Sequence, residues 1–117
     1  MRKITVETDA PKIEINGIVF EYRMSDGEVY WAGRDVLAKC AALDVSNEGA
    51  IVDALNMICS AIDSILGKGA MQKIMGDKPV SMSAALKVLN GIIDDCNARY
   101  TAYIRREYTG GGADAKI

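Results

Sequence analysis

From Ile65 to Asp77 the chain runs Ile-Leu-Gly-Lys-Gly-Ala-Met-Gln-Lys-Ile-Met-Gly-Asp, with glycines at 67, 69 and 76 and lysines at 68 and 73. Apolar stripes at helical spacing lead up to this segment and away from it. Glycine just past the last periodic residue ends a helix, because it takes the positive φ that a C′ position asks for. The segment therefore predicts a stop at Gly67, a short helix over 70–75 and a second stop at Gly76. The Gly67-Lys68-Gly69 step also invites a phosphate-loop reading. A Walker loop needs four residues between its first glycine and a closing Gly-Lys-Ser/Thr, after a strand. Here an amphipathic helix precedes and no hydroxyl residue follows Lys68, so two helix stops with solvated lysines is the simpler account.

The N-terminal third has a different period. Lys3 to Glu7 alternates apolar and polar around Ile4 and Val6, and Asp9-Ala10-Pro11 interrupts it. Ile13 and Ile15 then share one face, Asn16-Gly17 follows, and Ile18, Phe20 and Tyr22 face the same way on the return. Asn-Gly between alternating segments is a strong hairpin signal, since both turn positions need positive φ. A two- or three-stranded antiparallel sheet is expected within residues 3–23. Such a hairpin is too small to stand alone and must pack on an apolar surface.

Ser25-Asp26-Gly27-Glu28 has the capping-box pattern, and Val29, Val36, Leu37, Cys40 and Ala41 recur at helical spacing. A first helix over about 26–43 follows, although Gly33 weakens it and the 28–31 stretch also suits a third hairpin strand. Ser46 is the expected cap of a second helix over about 46–66, with a stripe of Ile51, Leu55, Ile58, Cys59, Ile62 and Leu66. Ser81 or Ser83 caps a last helix over about 83–108. Its expected core stripe is Leu86, Leu89, Ile93, Cys96, Tyr100, Tyr103 and Ile104. Gly91 costs that helix about 1 kcal/mol relative to alanine and leaves room for a close helix crossing, which the sequence does not decide. Gly110-Gly111-Gly112 marks a flexible tail over 109–117. The expected architecture is one α+β domain: a small N-terminal antiparallel hairpin or sheet on a bundle of three main α-helices with one short connecting helix.

Composition narrows the chemistry. With 117 residues, half of them apolar, and a net charge of −2, the chain has one core and no global attraction to nucleic acid or acidic lipid. No uninterrupted run of 18 apolar residues predicts a membrane span, and the basic start lacks the apolar core of a secretory signal. There is no histidine, so no serine or cysteine has the usual base beside it. Cys40, Cys59 and Cys96 sit in apolar helical stretches without a Cys-x-x-Cys and read as small core hydrophobes rather than metal ligands. Asp95 and Arg99 are an i, i+4 pair expected on a solvated face. Arg99, Tyr100, Tyr103, Arg105, Arg106 and Tyr108 have the texture of a single-strand nucleic-acid surface, but core stripe plus solvated cations accounts for them with less. No catalytic residue, cofactor or metal is expected. The methionines around the glycine-rich connection admit two readings: a plug for the end of the bundle, or an adaptable apolar patch for another polypeptide. The candidate partner-binding residues are Leu66, Met71, Ile74, Met75 and Met82.

The stretch from Ala61 to Lys78, followed by an apolar-stepped helix from Ser83, resembles a family of small proteins of long-tailed phages and prophages of Gram-positive bacteria. There a helix ends in Gly-x-Gly, a short helix carries a lysine, and Gly-Asp/Asn-Lys precedes the last long helix. Ile15-Asn16-Gly17 and Tyr22-Arg23 are similar too, and the likeness runs from about Lys12 to Arg105. The alanine-rich Ala32–Leu43 departs from the highly charged first helix usual in the family. The resemblance implies a tail-assembly chaperone. Such a protein keeps the tape-measure protein in solution, helps the tail tube protein polymerise around it, acts in the host cytoplasm and is absent from the finished virion. It implies no catalytic residues. The alternatives are a structural phage part (a head–tail connector or tail terminator) and, behind it, a nucleic-acid-binding regulator. Self-association stays open, since the stripe of the last helix serves a core or a dimer equally well.

Overall fold

The computed structural model of the chain describes residues 1–6, 8–44 and 46–105. The elements follow in the order β1 (Lys12–Ile15), β2 (Ile18–Glu21), α1 (Asp26–Ala41), α2 (Glu48–Leu66), α3 (Ala70–Met75) and α4 (Met82–Arg105). An N-terminal antiparallel hairpin thus packs on three long helices and one short one. β1 and β2 pair with Lys12 opposite Glu21 and Ile15 opposite Ile18. Asn16 and Gly17 take φ of 52° and 81°, the mirror-image turn that matches the twist of the two strands. Among the described residues the sheet has two strands. Residues 3–6 alternate as a strand does, but they form none, because no neighbouring strand among the described residues takes up their backbone groups.

The core gathers Phe20 and Tyr22 from the hairpin, Val29 from α1, Ile58, Ile62, Ile65 and Leu66 from α2, Ala70, Met71 and Ile74 from α3, and Ala85, Leu89, Ile92, Ile93 and Cys96 from α4. Each fully buried aliphatic side chain contributes about 1.5–3 kcal/mol of transfer free energy. The hairpin is tied in by its backbone as well. The Arg23 N–H donates to the Ile65 carbonyl at 2.7 Å, satisfying one of the orphan acceptors at the end of α2.

Several local expectations shift by a residue or a face. Residues 28–31 are helical, part of α1. Asn47, not Ser46, caps α2, its side-chain oxygen accepting the Gly49 N–H at 3.0 Å, while the Ser46 hydroxyl donates to Asp44 at 2.7 Å. Ser81 caps α4 by accepting the Ala84 N–H. The buried face of α2 begins with Ala50 and Ala54, leaving Ile51 57% exposed. α2 is long and apolar enough by length and composition to cross a bilayer, which interrupted apolar runs did not suggest. In this fold it is the helix that α1, α3 and α4 all contact. The close helix crossing belongs to Gly33, not Gly91. A Cβ on Gly33 would lie 2.7 Å from Ile93, whereas one on Gly91 would meet nothing within 4 Å. Residues 106–117, with the expected end of the last helix and the tail, lie outside the described residues.

Candidate partner-binding site

The glycine-rich connection is built as a plug. Gly67, Gly69 and Gly76 take φ of 119°, 78° and 70°, each a value that would strain a residue with a side chain. This folds α3 under the end of the bundle. Leu66, Met71 and Ile74 are 3%, 2% and 7% exposed. Met75 and Met82 are half-buried and pack against the same core. The structure thus brings the five candidate residues together, but around the core rather than on a surface. Leu66 and Met71 are closed off in the core, while Ile74 and Met75 reach the wall of a groove beside β1. The Asp63 carboxylate accepts the Met71 N–H at 3.0 Å, so an acid already occupies the amide-rich turn that a phosphate would need.

Accessible apolar surface lies instead where α1 begins and α4 ends. The start of α1 is fixed by its capping box: the Glu28 N–H donates to the Ser25 hydroxyl at 3.3 Å, and the Ser25 N–H donates to the Glu28 carboxylate at 3.0 Å. Hydrogen bonds from Ser25 hold the Glu28 carboxyl below the usual range. Because Gly33 lets α1 lie close on α4, Tyr30 and Tyr100 stand as facing walls of a cleft of about 360 Å³, lined also by Asp26, Gly27, Cys96 and Asn97. Tyr30 and Tyr100 are 42% and 59% exposed, the neighbouring Trp31 72%, and Tyr103 and Ile104 are exposed as well. Arg34 sits over the Tyr30 ring at 5.7 Å and stiffens that wall. Tyr100, Tyr103 and Ile104 were expected in the core stripe. Instead Tyr100 walls the cleft beside the start of α1, and Tyr103 and Ile104 follow it on the last turns of α4.

Below the cleft a charged clasp holds the two helices. Arg99 donates from Nη2 to Asp26 at 2.6 Å, from Nε to both Asp26 oxygens, and from Nη1 to Asp95 at 2.8 Å. Its guanidinium lies 5.0 Å over the Tyr22 ring, and the Tyr22 hydroxyl donates to Asp95 at 2.8 Å. The Arg99 side chain is only 17% exposed. The expected solvated i, i+4 pair is therefore the joint between hairpin, α1 and α4, and its cation is unavailable to a phosphate. The bond to Asp26 holds Arg99 charged far above the usual range. Burial, then the bond to Asp95, keeps the Tyr22 phenol neutral well above its ordinary range. Burial likewise pushes the Cys96 thiol up to about 11, so it lines the cleft as a neutral thiol at neutral pH. The three cysteines are free thiols, Cys96 buried and Cys40 and Cys59 half-buried. Among the described residues no cluster of three or more candidate ligands could hold a metal.

Sequence reasoning missed Tyr30, Trp31 and the role of Arg99. The signal was present: cation, acid and aromatic recur at Tyr22, Asp26 and Arg99, but only the fold joins positions 73 residues apart. No family model, curated protein or solved structure matches this chain.

Proposed function

We propose that this chain is a non-enzymatic phage tail-assembly chaperone that binds and solubilises the tape-measure protein. The observation that carries the protein-binding part is the aromatic-walled cleft between α1 and α4. Tyrosine and tryptophan supply large contact area at small entropic cost and are enriched where proteins bind one another. The Arg99 clasp presents them on rigid elements, which lowers the cost of binding further. The resemblance over Ile62 to Lys78 supplies the tail-assembly setting. A tape-measure protein is long and helical, and an amphipathic helix laid into an apolar groove is a common way to keep such a segment in solution. The tail tube protein is the second partner in this reading, and the protein acts in the host cytoplasm.

Co-expression with the tape-measure protein of the same phage or prophage tests the proposal, scoring that protein's solubility and its co-elution with this chain. Solubilisation by the parent chain, lost in a Trp31→Asp/Tyr100→Asp variant that retains its helical circular dichroism, is the expected result. No solubilisation and no co-elution overturns the reading. A stoichiometric band of this chain in purified virions points instead to a structural tail or head part.

A further inference from the structure

The outer edge of β1 is an unfilled strand position among the described residues, and the same chain carries a segment with a strand's alternation and no partner strand. The Tyr22 N–H donates to the Pro11 carbonyl at 3.0 Å. Bonded pairs alternate along an antiparallel ladder, so with this register Ile13 and Ile15 also point their backbone groups at β2. Lys12 and Glu14 then direct theirs to the other side, where the described residues place no further strand. Beside that edge runs a groove of about 330 Å³ whose walls include Ile13, Ile15, Ile74, Met75 and Val88, with Gly91 beneath. A Cβ on Gly91 would meet nothing within 4 Å, so this glycine deepens the groove rather than seating a helix.

The N-terminal arm has the complementary features. Lys3 to Val6 alternates polar and apolar with β-favouring Ile, Thr and Val. Ile4 and Val6 are 75% and 70% exposed. Among the described residues, none from 1 to 10 makes a backbone hydrogen bond. Arg2 and Lys3 form no ion pair among the described residues, and neither do Glu14 and Glu21 on the outer face of the hairpin. The arm does not line its own groove. Ala10 precedes Pro11, which steers it to extended backbone and away from a tight reversal onto β1.

We infer that the β1 edge and its groove accept the N-terminal arm of a second copy of this chain as a third strand. Ile4 and Val6 enter the groove over Gly91 and Val88, and Lys3 lies beside Glu14. The backbone groups of Lys12 and Glu14 gain partners, and a two-stranded hairpin becomes a sheet of more durable size. Donor and acceptor are different surfaces of one chain, so the contact closes by reciprocal exchange of arms between two copies or in a larger ring, and otherwise builds open chains. This assembly uses a different face from the α1–α4 cleft and does not depend on the chaperone reading.

Light scattering after size exclusion, run over a range of concentrations on the full chain, gives the first test. The parent is expected to exceed the 12.6 kDa of one chain as concentration rises. Ile4→Asp/Val6→Asp is expected to return it to one chain with unchanged circular dichroism. The second test mixes an Ile4→Cys chain with a Val88→Cys chain, both with Cys40 and Cys59 replaced by alanine. A disulfide-linked pair on a non-reducing gel, absent when either cysteine is left out, is the expected result. A parent that stays monomeric at every concentration overturns the inference. So do assemblies that survive the double aspartate variant, failure of the mixed chains to cross-link, and a purely intrachain disulfide in Ile4→Cys/Val88→Cys.

Discussion

The α2–α3 connection and the α1–α4 end of the bundle use apolar residues in opposite ways. At the connection, three positive-φ glycines fold methionines and isoleucines inward until Met71 and Ile74 belong to the core. At the other end the chain leaves Tyr30, Trp31 and Tyr100 outside and buries an arginine beneath them. By sequence the first region admitted both a plug and an adaptable surface, and the second read as core plus solvent-facing charge. The difference teaches that the number of covering elements, not residue type, decides which apolar residues remain accessible. The connection packs Leu66, Met71 and Ile74 into the common core, whereas Tyr100, Tyr103 and Ile104 at the end of α4 are exposed.

The largest effect that tests this contrast is Met71→Ala. It removes a fully buried side chain, and a loss of about 2–5 kcal/mol is expected, measured by urea denaturation. A loss under about 0.5 kcal/mol, typical of surface positions, would return Met71 to the surface and collapse the comparison.

Next comes the clasp. Arg99→Ala leaves Asp26 and Asp95 without their cation and Tyr22 without its stacking partner. A loss of about 1–3 kcal/mol is expected for such half-buried charge-assisted bonds. Arg99→Lys recovers part of it, since lysine keeps the charge but not the fork or the stacked plane. Equal stability of all three proteins would make the clasp an ordinary surface pair.

The pH dependence falls in a similar range. Cys96 is held neutral up to about 11 in the folded chain, while an unfolded thiol ionises near 8.5. The folded state therefore keeps a proton that the unfolded state loses. The contribution is complete below the unfolded value and disappears as pH rises through the folded one, roughly 2–3 kcal/mol in all at 1.36 kcal/mol per unit. Tyr22 adds a loss of the same sign at still higher pH. Thermal melts from pH 7 to 11 should show this fall, and Cys96→Ala should flatten its first part. A flat profile in the parent would mean that the thiol is not held in an uncharged environment.

The smallest expected effect on stability sharpens the comparison most. Trp31→Ala and Tyr100→Ala should each change stability by no more than about 0.5–1 kcal/mol while weakening partner binding in the co-expression assay. Strong destabilisation by either would mean that the rim is packed, not presented.

Much of the fold was legible in local chemistry. The Asn16-Gly17 hairpin, the Ser25–Glu28 capping box and the glycine stops at 67 and 76 are decided by backbone preferences within a few residues, and those preferences are written in residue type. The misplaced features all depend on neighbours. Ser46 and Asn47 are both good caps, and the serine is diverted to Asp44. Ile4 and Val6 have a strand's pattern without a strand beside them. Ile51 belongs to the helical stripe by spacing, but the buried face of α2 is rotated toward Ala50 and Ala54.

By itself, then, the sequence determined where the hairpin turns, where α1 starts and where α2 and α3 stop, because these are short-range properties. Only the tertiary structure decided which apolar sides are covered. It turned the methionine segment into a plug, made Gly33 the close contact with α4, and brought Tyr22, Asp26, Asp95 and Arg99 together under an exposed aromatic cleft. Contacts between residues 73 positions apart leave no periodic trace in a single chain, since they arise from the packing of whole elements.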